Sequence, residues 1–520
     1  MAALAAVLLA LAMPGRIGIS SFLFVALVPL LVMIPRLTAR RSACMGLFCG
    51  LLYNIALLYW IVIALHRYGR LSWWIAVAGM TLLALYMAVY ISFFCLLLNL
   101  VIKKLDRSRG HGYALLWAAP VIWLGLDWVR SWLGTGFPWM DLAYGLYLHP
   151  LLLQAADLGG HHLVTFAVVM VNGLVAFCLL FFAEAKGERA KNGFVHCLLA
   201  AGLLTGLAGY SYLRHDTIVT SMAGAETAVL GVAQGNISQD EKWGKGNEKR
   251  VLHRYLDLSA QAVANQAVDL IVWPETAMPF FLQGDRNTRK ILSFLQEKKT
   301  ALLTGAPAYT QTGPGHDPTD FAYFNSAFML DPRGNRASRY DKQHLVPFGE
   351  YVPLRSMFPF IEPLVVAAGD FTAGISARPL LQGKMQVGVL ICFEAIFPAI
   401  ARQETMAGAN VLANLTNDAW YGRSSAPYQS LAMSVLRAVE NRRSLVRSAN
   451  TGFSGFIDPT GAIVAQSPLF AQTAMVQIMP LLANQTFFAR GGHWFAFFCF
   501  CMSLLLLLWW PLSKKIKTRT

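Results

Sequence analysis

Charge is scarce in this 520-residue chain: Asp, Glu, Lys and Arg make up 14% of it, against 56% for hydrophobic residues. A wholly soluble protein carries nearer a quarter of its residues charged, so the chain is not uniformly soluble. Cysteine is almost missing from one long stretch. Residues 214–492 hold a single one, Cys392, which excludes a disulfide framework there. That stretch also lacks a histidine–carboxylate cluster with metal-ligand spacing. His253, His316 and His344 stand far apart, so neither a metal nor an organic cofactor is expected. Repeats and low-complexity tracts are missing too. Charge is rare inside the apolar runs, with Asp127 and Arg130 the main exceptions, which disfavours a transporter.

Apolar runs lie near 2–13, 20–35, 43–65, 72–102, 113–133, 162–183, 194–213 and 494–512. A membrane span needs about 20 mostly apolar residues, and most of these runs qualify. The first two are short and separated by Pro14, Gly15 and Arg16, which leaves open one interrupted segment or a tight pair of spans. The first run has no basic segment before it, unlike a cleaved signal peptide. The composition shift divides the chain into about seven N-terminal transmembrane helices in 1–213, a soluble domain in 214–492, and a last helix with a basic tail in 493–520.

The net charge of +15 has a membrane explanation. Loops 35–42, 103–110 and 184–193 and the tail after 512 are rich in Lys and Arg, whereas loop 134–160 has neither. Basic loops stay in the cytoplasm, so the soluble domain is expected on the opposite, periplasmic side of a bacterial inner membrane. This distribution accounts for the basicity without nucleic acid as a partner.

Candidate strands in the soluble region are 227–233, 268–273, 300–305, 324–330, 386–391, 409–414 and 444–449. Helix-like stretches fall at 248–266, 286–298, 396–407 and 425–442. This alternation predicts a mixed, layered α/β domain. Three strands run into reactive groups. Ile271-Val272-Trp273-Pro274 delivers Glu275, because Pro274 cannot continue a central ladder. The segment from Tyr340 to Glu350 embeds Lys342 and Glu350 in aromatic and apolar neighbours, and its His344 is either a base or a structural ring. Val387-Gly388-Val389-Leu390-Ile391 ends in Cys392-Phe393-Glu394, a strand-to-nucleophile layout. Taken singly, each has a plainer alternative: a turn carboxylate, a surface ion pair and an inert buried thiol.

Together, Glu, Lys and Cys at these strand ends resemble the catalytic triad of the nitrilase, or carbon–nitrogen hydrolase, superfamily. With membrane spans around that domain, the whole chain resembles the apolipoprotein N-acyltransferases. Further segments fit in order: Thr135-Gly136-Phe137-Pro138-Trp139, Gln234-Gly235-Asn236-Ile237 with Lys242-Trp243, Pro347-Phe348-Gly349-Glu350, Asn417-Asp418-Ala419-Trp420-Tyr421-Gly422, and Asn450-Thr451-Gly452. One departure is Phe393, where family members often carry Tyr after the catalytic Cys. The resemblance implies a multi-span α-helical membrane domain plus an α/β nitrilase-like αββα sandwich.

It also implies roles. Glu275 would be the general base, Cys392 the nucleophile, and Lys342 the cation against the developing oxyanion, helped by the backbone N–H of Phe393. Such donors are worth about 3–4 kcal/mol in the transition state. Glu350 would position Lys342, and Glu394 would support the loop. The acyl donor would be a phosphatidylethanolamine-like phospholipid and the acceptor the N-terminal α-amine of a diacylated apolipoprotein, in ping-pong order. Membrane lipids are then direct partners. Trp243 and Trp139 are candidates for shaping the acyl or head-group site, or else interfacial anchors. The apolar residues of 352–371, Phe358 and Phe360 among them, and Met278, Phe280, Phe281 and Leu282 form either a lipid-facing rim or ordinary core. The rival enzyme is a membrane-tethered amidase or nitrilase acting on small amides. The rival of another class is a non-catalytic receptor that keeps a hydrolase-like domain.

Overall fold

The computed structural model describes residues 1–106, 112–181, 187–242, 244, 246–313, 320–333, 336–351 and 371–517. The chain forms two compact units. One comprises residues 1–62, 73–216 and 491–520, and the other 63–72 and 217–490.

The first unit is helical. Among the described residues, four helices are long and apolar enough to cross a membrane: Ala39–Leu58, Trp73–Lys104, His161–Phe181 and Ala190–Ala223. Shorter apolar helical stretches are Ala2–Ala12, Ser20–Arg36 and Trp494–Leu508. The apolar helices of this unit are thus a mixture of long ones and shorter ones. The 2–35 region is not one continuous segment. Its first helix stops at Ala12, and the amide of Ile19 then donates to the carbonyl of Leu11 at 2.8 Å. Helix Tyr113–Arg130 carries the two charges that stood out in the apolar runs. Arg130 pairs there with Asp127 at 3.1 Å and with Asp141, so neither sign is left alone away from water.

The second unit is a sandwich of two six-stranded sheets. Its strands are β1 Thr227–Gln234, β2 Leu270–Val272, β3 Ala301–Gln311, β4 Phe321–Leu330, β5 Arg336–Asp341 and β6 Leu380–Gln382. They continue with β7 Met385–Ile391, β8 Val411–Thr416, β9 Ser444–Ala449, β10 Gly455–Ile457, β11 Ile463–Gln466 and β12 Thr473–Pro480. The sheet orders are β12-β1-β2-β3-β4-β5 and β11-β10-β9-β8-β7-β6. Every strand expected from the sequence is present, most with shifted ends and 444–449 with the same ones. β5, β6, β10, β11 and β12 are additional.

The two sheets face each other across one apolar core. Leu230, Val272 and Leu303 of the first sheet meet Val389, Val411 and Val446 of the second. Helices Glu248–Ala262 and Asn287–Lys298 cover the outer face of the first sheet through Val251, Tyr255, Ile291 and Leu295. Their apolar residues recur at helical spacing, and that stripe is what they bury. Helices Pro398–Met406 and Ala426–Asn441 flank the second sheet. The layers are therefore helix, sheet, sheet, helix.

Two details of topology position the chemistry. β1, β2 and β3 are parallel to one another, and so are β7, β8 and β9. Parallel strands end on the same side, so the loops after them cluster. The Ser448 hydroxyl donates to the Val272 carbonyl at 2.9 Å, which brings the carboxyl ends of β9 and β2 together across the sandwich. The second detail is residues 63–72, which belong to this unit although they lie between two membrane helices in sequence. The Tyr68 ring meets Trp420 edge-on at 5.3 Å, and Arg67 lies 5.7 Å over the Tyr68 ring.

Candidate active site

Three strand ends meet in one pocket of polar groups. After β2, Trp273 is fixed by its indole N–H on the Ser259 hydroxyl at 2.8 Å, and its backbone N–H continues the ladder to Leu303 at 2.8 Å. Pro274 then ends the ladder and Glu275 turns inward, only 7% exposed. Thr276 beyond it adopts a left-handed φ of 42°, which only a held turn keeps in a β-branched residue. Gly305 of β3 makes the space. A Cβ there would stand 2.7 Å from the Glu275 Cα and 2.5 Å from the Thr276 nitrogen. Gly305→Ala must therefore push the turn that carries Glu275. We expect a loss of about 1–3 kcal/mol in stability and a drop in activity larger than that loss explains. Thermal unfolding alongside an activity assay checks this, and unchanged activity would show that the turn tolerates displacement.

Lys342 follows β5 and is 1% exposed. Its ammonium donates to Glu350 Oε1 at 3.0 Å and lies 3.5 Å from Glu275 Oε1. Burial alone would push this ammonium toward neutrality, but Glu350, Glu275 and Cys392 outweigh it and hold the proton more firmly than in water. Asn325 of β4 bridges the two carboxylates, donating to Glu275 Oε1 and Glu350 Oε1 at 2.8 Å each. Glu350 also accepts the Val346 N–H at 2.8 Å. The result is a fixed cation between two oriented carboxylates.

Cys392 begins a short 3-10 turn, Cys392–Ile396, directly after β7. Its own φ is 51°, a left-handed conformation that turns the thiol out of the strand line. Burial pushes the thiol up to about 12, and Glu275 adds to the rise, while Lys342 and a hydrogen bond with Thr416 oppose it. The sulfur therefore rests as a thiol at neutral pH and needs a base to become a nucleophile. Glu394 ties the loops after β5 and β7 together. Its carboxylate accepts from Ile391 N at 2.7 Å, Gln343 N at 2.6 Å, His344 N at 3.2 Å and the Tyr340 hydroxyl at 3.0 Å. Burial pushes Glu394 up to about 7 against these donors. Phe393 packs with the rings of Phe397 at 5.3 Å and His344 at 5.8 Å. Burial and the nearby Lys342 lower His344 to about 4, so above that pH it is a neutral ring tilted against Phe397, their centroids 3.8 Å apart.

Residues 229–486 match the family described as carbon-nitrogen hydrolase, and residues 5–174 match the apolipoprotein N-acyltransferase N-terminal domain. An apolipoprotein N-acyltransferase of Geobacter metallireducens is 38% identical over 96% of this chain and 92% of its own length. The chain belongs to the apolipoprotein N-acyltransferase family. Another member, from Vibrio cholerae, is 31% identical over 89% of this chain and 87% of its own. A carbon-nitrogen hydrolase structure from Helicobacter pylori superposes with a TM-score of 0.38 at 14% identity, covering 56% of this chain and 95% of that one.

Within this acyltransferase-family chain, six of the residues singled out in the sequence lie together: Glu275, Lys342, Cys392, Glu350, Phe393 and Glu394. Trp139 lies in the helical unit, where its ring packs 4.9 Å from Trp60 and 5.6 Å from Phe137. Trp243, Phe358 and Phe360 fall outside the described residues. Of the two readings of 278–282, rim and core, the structure favours core. Met278, Phe280 and Leu282 are buried in the core beneath helix Asn287–Lys298, and Phe281 alone of the four is exposed. Apolar residues after a strand end can fill the gap under a covering helix as readily as face lipid.

Asn325 and Lys242 were not singled out for the chemistry. Asn325 stands beside Ser326 in the strand Phe321–Leu330, and nothing in that local pattern sets it apart. Lys242 is 1% exposed and donates to the Thr276 hydroxyl at 3.0 Å and the Glu275 carbonyl at 3.3 Å. Burial lowers it to about 8, with Glu275 opposing. Among the described residues, Asp141, His161 and His162 of the helical unit are the group able to offer a metal three ligand atoms, all within 4.8 Å. Asp141 already pairs with the Arg130 guanidinium and with His161 Nε2 at 2.7 Å, so a cation there would meet a fixed positive charge.

Proposed function

We propose that this protein transfers an acyl chain from a phospholipid to the N-terminal α-amine of a diacylglyceryl-cysteine apolipoprotein, through a thioester on Cys392. The observation that carries the proposal is the convergence of Glu275, Lys342 and Cys392 in one buried site of a chain whose helical portion matches the N-acyltransferases.

Glu275 takes the thiol proton as the Cys392 sulfur attacks the ester carbonyl. Negative charge develops on the carbonyl oxygen, where the Lys342 ammonium and the Phe393 backbone N–H stabilise it. Collapse breaks the ester C–O bond. The lysophospholipid oxygen receives the proton from Glu275, and a thioacyl-enzyme remains. The α-amine then attacks the thioester. Glu275 takes a proton from the incoming nitrogen, the C–S bond breaks, and the sulfur is reprotonated. The Glu350 carboxylate keeps Lys342 aimed, and Asn325 keeps Glu275 and Glu350 apart in fixed orientation.

Both substrates are anchored in lipid, which accounts for the joining of a membrane region to a hydrolase-like sandwich. The distribution of basic loops supports a periplasmic position for the sandwich on the inner membrane. The test is intact-protein mass spectrometry of the full-length protein with phosphatidylethanolamine. We expect a gain of one acyl chain, lost again on adding a diacylated lipopeptide with a free N-terminus. A folded protein that gains no mass would overturn phospholipid as donor. Ammonia release from small amides would then favour the amidase.

A further inference from the structure

The loop motif after β8, Asn417 to Gly422, and the motif Asn450-Thr451-Gly452 after β9 have no part in the chemistry described so far. They converge on the nucleophile. Ile391 of β7 pairs with Leu415 of β8, so the next residue of each strand brings Cys392 beside Thr416. The Thr416 hydroxyl stands where a hydrogen bond to the sulfur favours its ionised form. That hydroxyl donates to Asp418 Oδ1 at 3.0 Å, and Asp418 Oδ2 accepts from Arg447 at 2.9 Å. Thr416, Asp418 and Arg447 are all fully buried. Gly452 leaves room for the carboxylate, since a Cβ there would collide with Asp418. Arg447 is held in turn by Asn414, by the Ser430 hydroxyl at 2.9 Å and by the Phe453 carbonyl at 3.1 Å.

We propose that Thr416 is a further catalytic residue, whose single hydroxyl hydrogen passes between Asp418 in the resting enzyme and the Cys392 sulfur whenever that sulfur is anionic. The proposal rests on Cys392 as the nucleophile. In the resting state the thiol carries its own proton, and the Thr416 oxygen presents a lone pair to it while donating to Asp418. When Glu275 removes the thiol proton, the sulfur becomes an acceptor. The hydroxyl hydrogen rotates toward it, and Asp418 keeps the Arg447 guanidinium as its partner. Once the thioester forms, the sulfur is neutral and the hydrogen returns to Asp418. No bond is made or broken at Thr416. Because both half-reactions pass through an anionic sulfur, Thr416 serves both. Asp418 and Arg447 are positioning residues.

The other groups around the sulfur do not duplicate this role. Glu275 after β2 and Asp418 after β8 are negative and oppose ionisation. Lys342 after β5 favours it but is held between Glu350 and Glu275. Tyr421 after β8 is kept neutral by burial and by the neighbouring Cys392 and Asp418. Glu394, on the turn of Cys392 itself, is engaged with the backbone of 343–344.

The experiment uses the full-length protein and measures iodoacetamide labelling of the Cys392 peptide between pH 7 and 10, with no substrate present. In parallel, the rate of acyl-enzyme formation from phosphatidylethanolamine is followed by intact mass. For Thr416→Val, a near-isosteric change, labelling is expected to slow about tenfold at each pH, because a hydrogen bond to a charged sulfur is worth about one pKa unit. Acyl-enzyme formation should slow at least as much. Thr416→Ser should stay within about threefold of wild type in both. Loosened packing alone would speed labelling. Labelling by Thr416→Val at the wild-type rate or faster overturns the proposal. If Thr416→Val does not fold, Thr416→Ala against Thr416→Ser decides it on the same readout. Slowed labelling together with a wild type that forms no acyl-enzyme would overturn the phospholipid donor and leave the role of Thr416 standing.

Discussion

Cys392→Ala is expected to abolish the acyl adduct and to lower turnover by roughly four orders of magnitude or more, the scale seen when a covalent nucleophile is removed. The protein should remain folded. The substitution deletes one sulfur at a half-buried position, and alanine meets the same left-handed backbone that cysteine already occupies there. The carboxylates and the ammonium keep one another as partners, because Lys342 is held mainly by Glu350 and not by the thiol. The other seven cysteines lie outside the sandwich unit, so residual acylation of the variant would need a different nucleophile. Intact mass with and without phosphatidylethanolamine reads the result directly. An adduct of undiminished size on Cys392→Ala would remove this residue from the mechanism.

Lys342→Met should have the next largest effect, and on two quantities at once. Loss of an oxyanion donor typically costs about 10²–10³ in rate. Here the same atom also neutralises Glu275 and Glu350, both nearly buried. Removing one partner of a buried ion pair costs about 3–5 kcal/mol of stability, because the other charge stays behind without water. Methionine fills the space but not the charge. We therefore expect activity below one-hundredth of wild type and a clear fall in melting temperature. Lys342→Arg should not rescue, since a planar fork does not fit where a compact ammonium contacts two carboxylates. A variant that keeps a tenth of wild-type activity would move the oxyanion contact to another donor.

The strand ends that form the candidate site were legible because each breaks a local rule. Pro274 stops a ladder, Lys342 interrupts an aromatic run, and Cys392 is the lone thiol in a long stretch. The central strands were legible for a related reason: buried on both faces, they read as continuous apolar runs. β11 and β12 lie at sheet edges and are partly exposed along most of their length, and β10 is three residues long, so their pattern is weak. β12 pairs with β1 from the far end of the domain, a partnership that no local spacing encodes. Asn325, Lys242 and Thr416 were hidden similarly. Each matters through the group it touches, and those groups are 25 to 50 residues away in sequence or a neighbouring strand apart. The aromatic and aliphatic residues after Glu275 left rim and core both open, because hydrophobicity does not say which surface a side chain meets.

Residues 63–72 give the sandwich an order of assembly. The ribosome makes them, and the flanking helices enter the bilayer, long before β1 exists. Trp420, in the turn after β8, meets Tyr68 of that early segment edge-on. The sandwich therefore packs against a segment of chain made well before its first strand. A fragment beginning at residue 217 would be born without it, and a generic membrane anchor could not supply it.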